Sequence, residues 1–165
     1  MPELPPNVFV IPATASANSY VLARASNAAI IYGTKMGVEL AYMGVPTIIA
    51  GESWARNKGL TLDATSREGY LRLLDRLPFD RDFDLVAQLR AARYAFHFFF
   101  RRTIPFKFLT PQKGAWPPFQ LQLEDLQPLH QGSSLGLDIV CDGILKGTPF
   151  IYPAEEVIMK DEPSH

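Results

Sequence analysis

The stretch that decides the fold is Tyr32-Gly33-Thr34-Lys35-Met36-Gly37-Val38-Glu39, and a short helical pattern continues from it to Gly44. An apolar run at 28–32 leads into this stretch, and a second apolar run follows at 47–50. The pattern predicts a strand, a glycine turn, a helix over 35–43 and another strand. Such a turn presents free amide groups and the positive end of a helix dipole, which is where an anion binds.

A further strand is predicted at 8–11, and a helix is predicted to begin near Asn18 or Ser19. Apolar strands that alternate with helices are typical of a parallel sheet covered on both faces. Right-handed crossovers bring the loops after such strands to one carboxyl edge, where ligands of these sheets bind. We therefore predict an α/β fold with a partial Rossmann-like, three-layer parallel sheet.

Two helices are predicted after the sheet, at 69–77 behind a capping box of Thr65 and Glu68, and at 82–102. Apolar residues in the longer helix follow the spacing of a packed seam: Leu85, Leu89, Ala92, Phe96 and Phe99. Packing in a core or against another domain is the favoured interpretation of its aromatic side chains, and contact with a membrane surface is the alternative. Prolines after residue 104 predict an irregular Pro-rich extension over 104–165, in which 136–145 has some strand or helix character and 150–152 is strand-like. Residues 1–103 then form the partial Rossmann-like, nucleotide-sugar-binding domain with its C-terminal helices.

The composition excludes several classes of protein. The chain has 165 residues, with 16 basic and 17 acidic side chains and a net charge of -1, which argues against nucleic-acid binding. Its single cysteine, Cys141, cannot form an internal disulfide and is predicted to be buried. Neither metal-ligand spacing nor a cofactor motif occurs, so we expect no metal and no cofactor. Without a secretory signal or an apolar run of membrane-spanning length, the expected location is cytoplasmic.

The first group of candidate ligand residues lies in the turn after the strand at 28–32. Thr34 and the amides of Lys35 to Gly37 would bind a diphosphate or a carboxylate, and Gly37 would allow close approach to the backbone. Glu39 would accept hydrogen bonds from sugar hydroxyls, because charge-assisted bonds are stronger than neutral ones. The alternative is that Thr34 only caps the helix and Glu39 only suits its first turns, and the spacing does not decide between them.

The second group follows the strand at 47–50. Arg56 and Lys58 would neutralise phosphate charge, and Trp54 could stack on a base or a sugar. The alternative is an exposed basic loop with Trp54 folded down as a plug. No catalytic residue is assigned, because the three histidines lie in unrelated contexts.

The order of these motifs resembles the C-terminal part of bacterial capsule polysaccharide biosynthesis proteins, which are similar to GT-B-type glycosyltransferases. The resemblance lies in Tyr-Gly-Thr-x-x-Gly-x-Glu at 32–39, Gly-x-Pro at 44–46 and Gly-Glu-x-Trp-x-Arg-x-Lys-Gly at 51–59. It continues through 66–70, 94–105 and 141–144, and covers most of 7–152.

The resemblance implies a nucleotide-sugar site between two Rossmann-like domains, with the donor held by the C-terminal one. By position, Thr34 and the turn at Gly33 and Gly37 would meet the donor phosphate, Glu39 its ribose or sugar, and Arg56 and Lys58 further phosphate charge. The acceptor would be a carbohydrate or a glycolipid.

The general base and the acceptor domain of such an enzyme normally lie in the other half. A missing N-terminal domain or a partner chain would therefore complete the site, and peripheral contact with the inner membrane is also expected. On this interpretation the chain begins inside a longer protein; the alternative is that the domain starts abruptly. Two other functions stay open: a fragment similar to a nucleotide-sugar epimerase, and a non-catalytic remnant or assembly subunit that packs through its Phe-rich helix.

Overall fold

The computed structural model describes residues 3–79 and 85–161, with side chains up to residue 158. By its contacts the chain divides into two compact units, Met1–Arg93 and Tyr94–His165. The boundary between these units lies inside a helix, and the domain boundary predicted at residue 103 stays a prediction.

The first unit alternates helices and strands in chain order. They are α1 (Ser19–Ala25), β1 (Ala29–Ile31), α2 (Met36–Tyr42), β2 (Thr47–Ile49), β3 (Leu62–Asp63) and α3 (Arg67–Leu74). The strands form one parallel sheet in the order β1-β2-β3, with Ile30 opposite Ile48 and Ile48 opposite Leu62. The predicted α/β class with a parallel sheet is therefore confirmed, and β3 is a strand that the sequence analysis missed.

The strand predicted at 8–11 is wrong. These residues take no part in the sheet, and the side chain of Phe9 is 84% exposed. Prolines lie on both sides of the segment. The amide of Val8 donates to the carbonyl of Pro5 in a turn at its start, and Pro12 follows Ile11 at its end. An apolar, β-branched run becomes a strand only when a neighbour supplies hydrogen-bond partners.

The hydrophobic cluster formed by α1, α2 and the strands of the first unit lies on one face of the sheet. Ala23 of α1 and Leu40 of α2 pack with Ile31, Val45 and Ile49. Because side chains alternate along a strand, Ile30 and Ile48 point to the opposite face. Ile48 is fully buried there, whereas Ile30 is 48% exposed. The second face is therefore covered at β2 and open at β1, which differs from the sheet covered on both sides that the sequence predicts.

Local signals account for the helix ends. The side chain of Asn18 accepts hydrogen bonds from the amides of Tyr20 and Val21, as predicted for a cap. Gly44, with φ of 70°, follows α2 in the left-handed conformation that ends many helices. At α3 the predicted capping box is wrong in register, because Ser66 rather than Thr65 is the cap and accepts from the amide of Gly69.

The long helix appears as α4 (Leu85–Phe96) and continues as a π-helical turn, His97–Arg101. Its predicted start at 82–84 lies outside the described residues. The predicted seam is only partly correct, because Leu85 and Leu89 are exposed while Ala91 is fully buried. In the π-helical region, the rings of Phe96 and Phe100 stack and those of Phe98 and Phe99 meet edge to face.

The predicted irregular extension is corrected by the structure of the second unit. An antiparallel pair, β4 (Leu109–Pro111) and β5 (Phe119–Leu121), precedes helices α5 (Leu135–Lys146) and α6 (Ala154–Asp161). Ser134 caps α5, and Gly147 ends it with φ of 71°. Both end signals are present in the sequence, but the prolines before them obscured the pattern.

Two further predictions concern the surface of the chain. The thiol of Cys141 on α5 is exposed, so its predicted burial is wrong. None of the helices in 3–79 and 85–161 has the length and apolar character needed to cross a bilayer.

Candidate functional site

The candidate site lies at the carboxyl edge of the parallel sheet, where the turn after β1 meets the loop after β2. The amide of Ala50 donates to the carbonyl of Ile31 at 2.8 Å, and the hydroxyl of Ser53 donates to the carbonyl of Thr34 at 3.4 Å. A Cβ added to Gly33 would lie 3.0 Å from the carbonyl oxygen of Glu52. The two loops are thus in direct contact, as the sequence analysis expected from parallel strands.

The hydrogen bonds of the first loop are largely internal. Thr34 Oγ1 accepts from the amide of Met36 at 3.2 Å, and the amide of Gly37 donates to the carbonyl of Thr34 at 3.3 Å. Thr34 therefore acts as a cap for α2, a helix of seven residues, although Lys35 holds the formal cap position. The Lys35 side chain makes no capping bond and is exposed. A ligand at this turn would meet the lysine side chain, while two of the three predicted amides already have acceptors.

Gly37 has a packing role in this structure. A Cβ at this position would lie 2.3 Å from Cδ1 of Ile31, and 3.5 Å from both Cβ of Ala55 and Oγ of Ser53. Gly37 is itself buried. The missing side chain allows α2 to approach β1 and the second loop. This packing accounts for the glycine by itself, and its approach to a ligand stays a prediction.

Glu39 lies on α2, where it contacts α1. Its Oε2 accepts a hydrogen bond from the hydroxyl of Tyr20 at 3.1 Å. This hydrogen bond and the nearby negative charge raise the pKa of Tyr20 above its ordinary value, because both disfavour the phenolate. One oxygen of the predicted sugar-binding carboxylate is therefore engaged with Tyr20.

Arg56 holds the second loop in shape. Its Nη1 donates to the carbonyl of Gly51 at 2.7 Å and its Nη2 to the carbonyl of Ala64 at 2.5 Å. Its Nε also lies 3.8 Å from a carboxylate oxygen of Glu52. The fixed fork of the guanidinium thus ties the start of the loop to the residue after β3. This use of Arg56 was missed because its two carbonyl acceptors lie five and eight residues away in a loop without regular structure.

Asp63, at the end of β3, organises the middle of the same loop. Its Oδ2 accepts from the amide of Asn57 at 2.7 Å, and its Oδ1 accepts from the hydroxyl of Thr61 at 2.7 Å. Asn57 has φ of 59°, a left-handed conformation that asparagine tolerates better than most residues. The loop is therefore a defined structure that presents exposed side chains, among them Trp54 and Lys58.

Tyr32 is a residue of this edge that the sequence analysis did not select. It directly follows β1, and a Cβ built on Gly51 would lie 2.6, 2.7 and 2.9 Å from three ring carbons of Tyr32. The register pairs Ile31 with Ile49, so a tyrosine just past one strand and a glycine just past its neighbour meet at the sheet edge. No signal in the sequence alone identifies this contact, because it depends on the register of the two strands.

The described residues contain no group of three or more His, Cys, Asp or Glu side chains that could hold a metal ion. Comparison of the chain with protein-family models, curated proteins and solved structures gives no match.

Proposed function

We propose that this edge binds the nucleotide-sugar donor of a GT-B-like glycosyltransferase, with the chain as the donor-binding portion of that enzyme in capsule or surface polysaccharide synthesis. The observation that carries the proposal is the direct contact between the two loops that follow β1 and β2. Open parallel sheets bind their ligands at this edge, in the crevice beyond the carboxyl ends of the strands. The resemblance of 32–39 and 51–59 to capsule biosynthesis proteins supplies the class of ligand.

The charges at the edge support a phosphorylated ligand. Lys35 in the first loop and Lys58 in the second are both exposed. Arg56, by contrast, already donates to two carbonyl oxygens. We therefore assign phosphate neutralisation to the lysines, and assign to Arg56 the shape of the loop that carries Lys58.

The chemical contribution of this edge would be electrostatic. As the bond between sugar and phosphate breaks, negative charge grows on the departing nucleotide, and fixed cations lower the energy of that state. The acceptor and the general base would be supplied by a second domain or a partner chain, and the acceptor would be a carbohydrate or a glycolipid. The whole enzyme would work at the cytoplasmic side of the inner membrane.

The first prediction concerns the two lysines. CMP-, UDP- and GDP-linked sugars are titrated into the full chain, and the midpoint of thermal unfolding is followed. We expect one class of nucleotide to raise the midpoint, and Lys35→Ala and Lys58→Ala each to weaken its binding about tenfold, the loss expected for a charge-assisted hydrogen bond.

Lys113→Ala is the matched control for these variants, since it removes an exposed lysine from the second unit. Thr34→Ala and Glu39→Ala test the remaining predicted contacts. If no nucleotide sugar stabilises the chain, donor binding by this chain is rejected. If one binds and both lysine variants behave like Lys113→Ala, the assignment of the phosphate site is wrong.

The exposed apolar residues of α4 favour the non-catalytic assembly subunit as a second candidate. Leu85 and Leu89 belong to the predicted seam and are 63% and 53% exposed. A subunit that packs through this helix would associate with itself or a partner and would bind no nucleotide. Sedimentation of the parent chain and of the double variant Leu85→Ser/Leu89→Ser, together with the ligand titration above, distinguishes the two functions. An assembly subunit would associate in the parent but not in the double variant and would bind no nucleotide, whereas a donor-binding chain would bind a nucleotide in both.

A further inference from the structure

We infer that the ring of Tyr32 is the stacking platform for the base of the bound nucleotide. The inference rests on the proposed function and adds to it Tyr32, a residue that the sequence analysis did not select; that analysis gave stacking on a base or a sugar to Trp54. It is carried by the contact between Tyr32 and Gly51 and by the exposure of the tyrosine ring.

The contact geometry shows which part of the ring meets Gly51. A Cβ built on this glycine would be nearly equidistant from three adjacent ring carbons, at 2.6, 2.7 and 2.9 Å. A point outside the ring edge would be clearly closer to one carbon than to its two neighbours. The backbone of Gly51 therefore lies against one face of the ring, and only glycine leaves room for the ring in this position.

The other face of the ring is open. Tyr32 is 77% exposed, although it lies in the chain directly between β1 and the turn into α2. Its hydroxyl makes no hydrogen bond with any residue in 3–79 or 85–161. A tyrosine side chain is usually held in place by burial of its ring or by a hydrogen bond of its hydroxyl, and neither holds Tyr32.

A flat aromatic ring with one supported and one open face suits a nucleobase. Every base has a π face, so stacking on an aromatic side chain is tolerant of sequence and contributes a large share of the affinity. Lys35 follows Tyr32 on the same turn and is exposed, so that a cation for phosphate and a surface for a base occur within four residues. Contact of the ring with the apolar face of a sugar is the alternative to stacking on a base, and the comparison with ribose 5-phosphate distinguishes the two.

The experiment measures binding of CMP, UMP and GMP, of the matching free nucleosides and of ribose 5-phosphate to the full chain by calorimetry. Ribose 5-phosphate carries sugar and phosphate without a base. We expect Tyr32→Ala to weaken binding of the preferred nucleotide about tenfold and to leave ribose 5-phosphate unchanged. Tyr32→Phe keeps the ring, and we expect its affinity to stay within about twofold of the parent.

Two variants control for other causes. Gly51→Ala keeps Tyr32 but forces its ring away from the loop, so we expect it to lose base-dependent binding as Tyr32→Ala does. Tyr42→Ala removes a tyrosine of similar exposure, 55%, at the far end of α2 and should bind like the parent. Circular dichroism confirms that each variant is folded before its affinity is compared.

The outcomes separate this inference from the proposed function. Equal loss of nucleotide and ribose 5-phosphate in Tyr32→Ala, or no loss of either, overturns the platform and leaves the phosphate site in place. Nucleotide binding that depends on Tyr32 but is insensitive to Lys35→Ala and Lys58→Ala keeps the platform and refutes the proposed phosphate site. Failure of the parent chain to bind any nucleotide or nucleoside overturns both.

Discussion

At the scale of single residues, the structure assigns packing and loop-shaping roles to residues that the sequence pattern associates with a ligand. Gly37 leaves room for Ile31, Thr34 caps α2, and Arg56 binds two backbone carbonyls. Short glycine and arginine patterns fit either use equally well, because the same backbone freedom and the same donors serve both. The exposed side chains at this edge, Lys35 and Lys58 among them, are the ones still available to a ligand.

Gly37→Ala should destabilise the chain in spite of its better helix propensity. Alanine gains about 1 kcal/mol over glycine inside a helix, but overpacking a core costs about 1–3 kcal/mol. The added methyl would lie 2.3 Å from Cδ1 of Ile31, in a buried part of the first unit. We expect a net loss of about 1 kcal/mol in the free energy of unfolding, measured by urea denaturation.

A double-mutant cycle tests the cause of that loss. Ile31→Val removes the Cδ1 atom and by itself costs about 1 kcal/mol, so Gly37→Ala should cost much less in the Ile31→Val background. Gly69→Ala in α3 is the matched control, because its added methyl would meet nothing closer than 3.4 Å and should stabilise the chain. Strict additivity of the two core changes would contradict the proposed collision.

At the scale of elements, helices whose ends carry local signals form close to where the sequence predicts them. Asn18 caps α1 and Gly44 follows α2, both where the sequence predicts a helix end, whereas α5 carries such signals at Ser134 and Gly147 but was not predicted. Strands behave differently, since the apolar run at 8–11 forms none and the two-residue β3 was not predicted. A helix satisfies its hydrogen bonds within itself, whereas a strand depends on a neighbour for every one of them.

The cap of α3 gives a test at this scale. Ser66→Ala should lower the free energy of unfolding by about 1 kcal/mol, because it leaves the amide of Gly69 without its 3.0 Å acceptor. Thr65→Ala is the control and should change the stability by less than about 0.5 kcal/mol, since Thr65 is exposed and precedes the cap. A larger loss for Thr65→Ala than for Ser66→Ala would restore the capping box that the sequence predicts.

At the scale of the whole molecule, the chain consists of two units that each bury a limited set of apolar side chains. In the first unit the core cluster occupies one face of the sheet, and its members come from α1, β1, α2 and β2. The other face is buried at Ile48 and open at Ile30, although the two residues are direct cross-strand partners. The side chains of this one pair of strands are therefore buried to different extents, and we expect them to contribute unequally to the free energy of unfolding.

This asymmetry predicts different costs for the same substitution. Ile48→Ala should lower the free energy of unfolding by about 2–5 kcal/mol, because it opens a cavity at a fully buried position. Ile30→Ala should cost about 1 kcal/mol or less, since the side chain is already half exposed. Urea denaturation of both variants measures the difference, and similar losses would mean that the open face of β1 is covered in solution.

By itself the sequence determined the α/β class, the parallel pair of strands that flanks α2, and the edge at which a ligand is expected. These features depend on apolar runs, caps and glycines that act within a few residues of each other. Only the tertiary structure decided that β3 joins the sheet and 8–11 does not, which face of the sheet is covered, and what Gly37, Arg56 and Tyr32 contact. Those outcomes depend on atoms that come together only when distant segments pack, as Tyr32 and Gly51 do at the ends of two neighbouring strands.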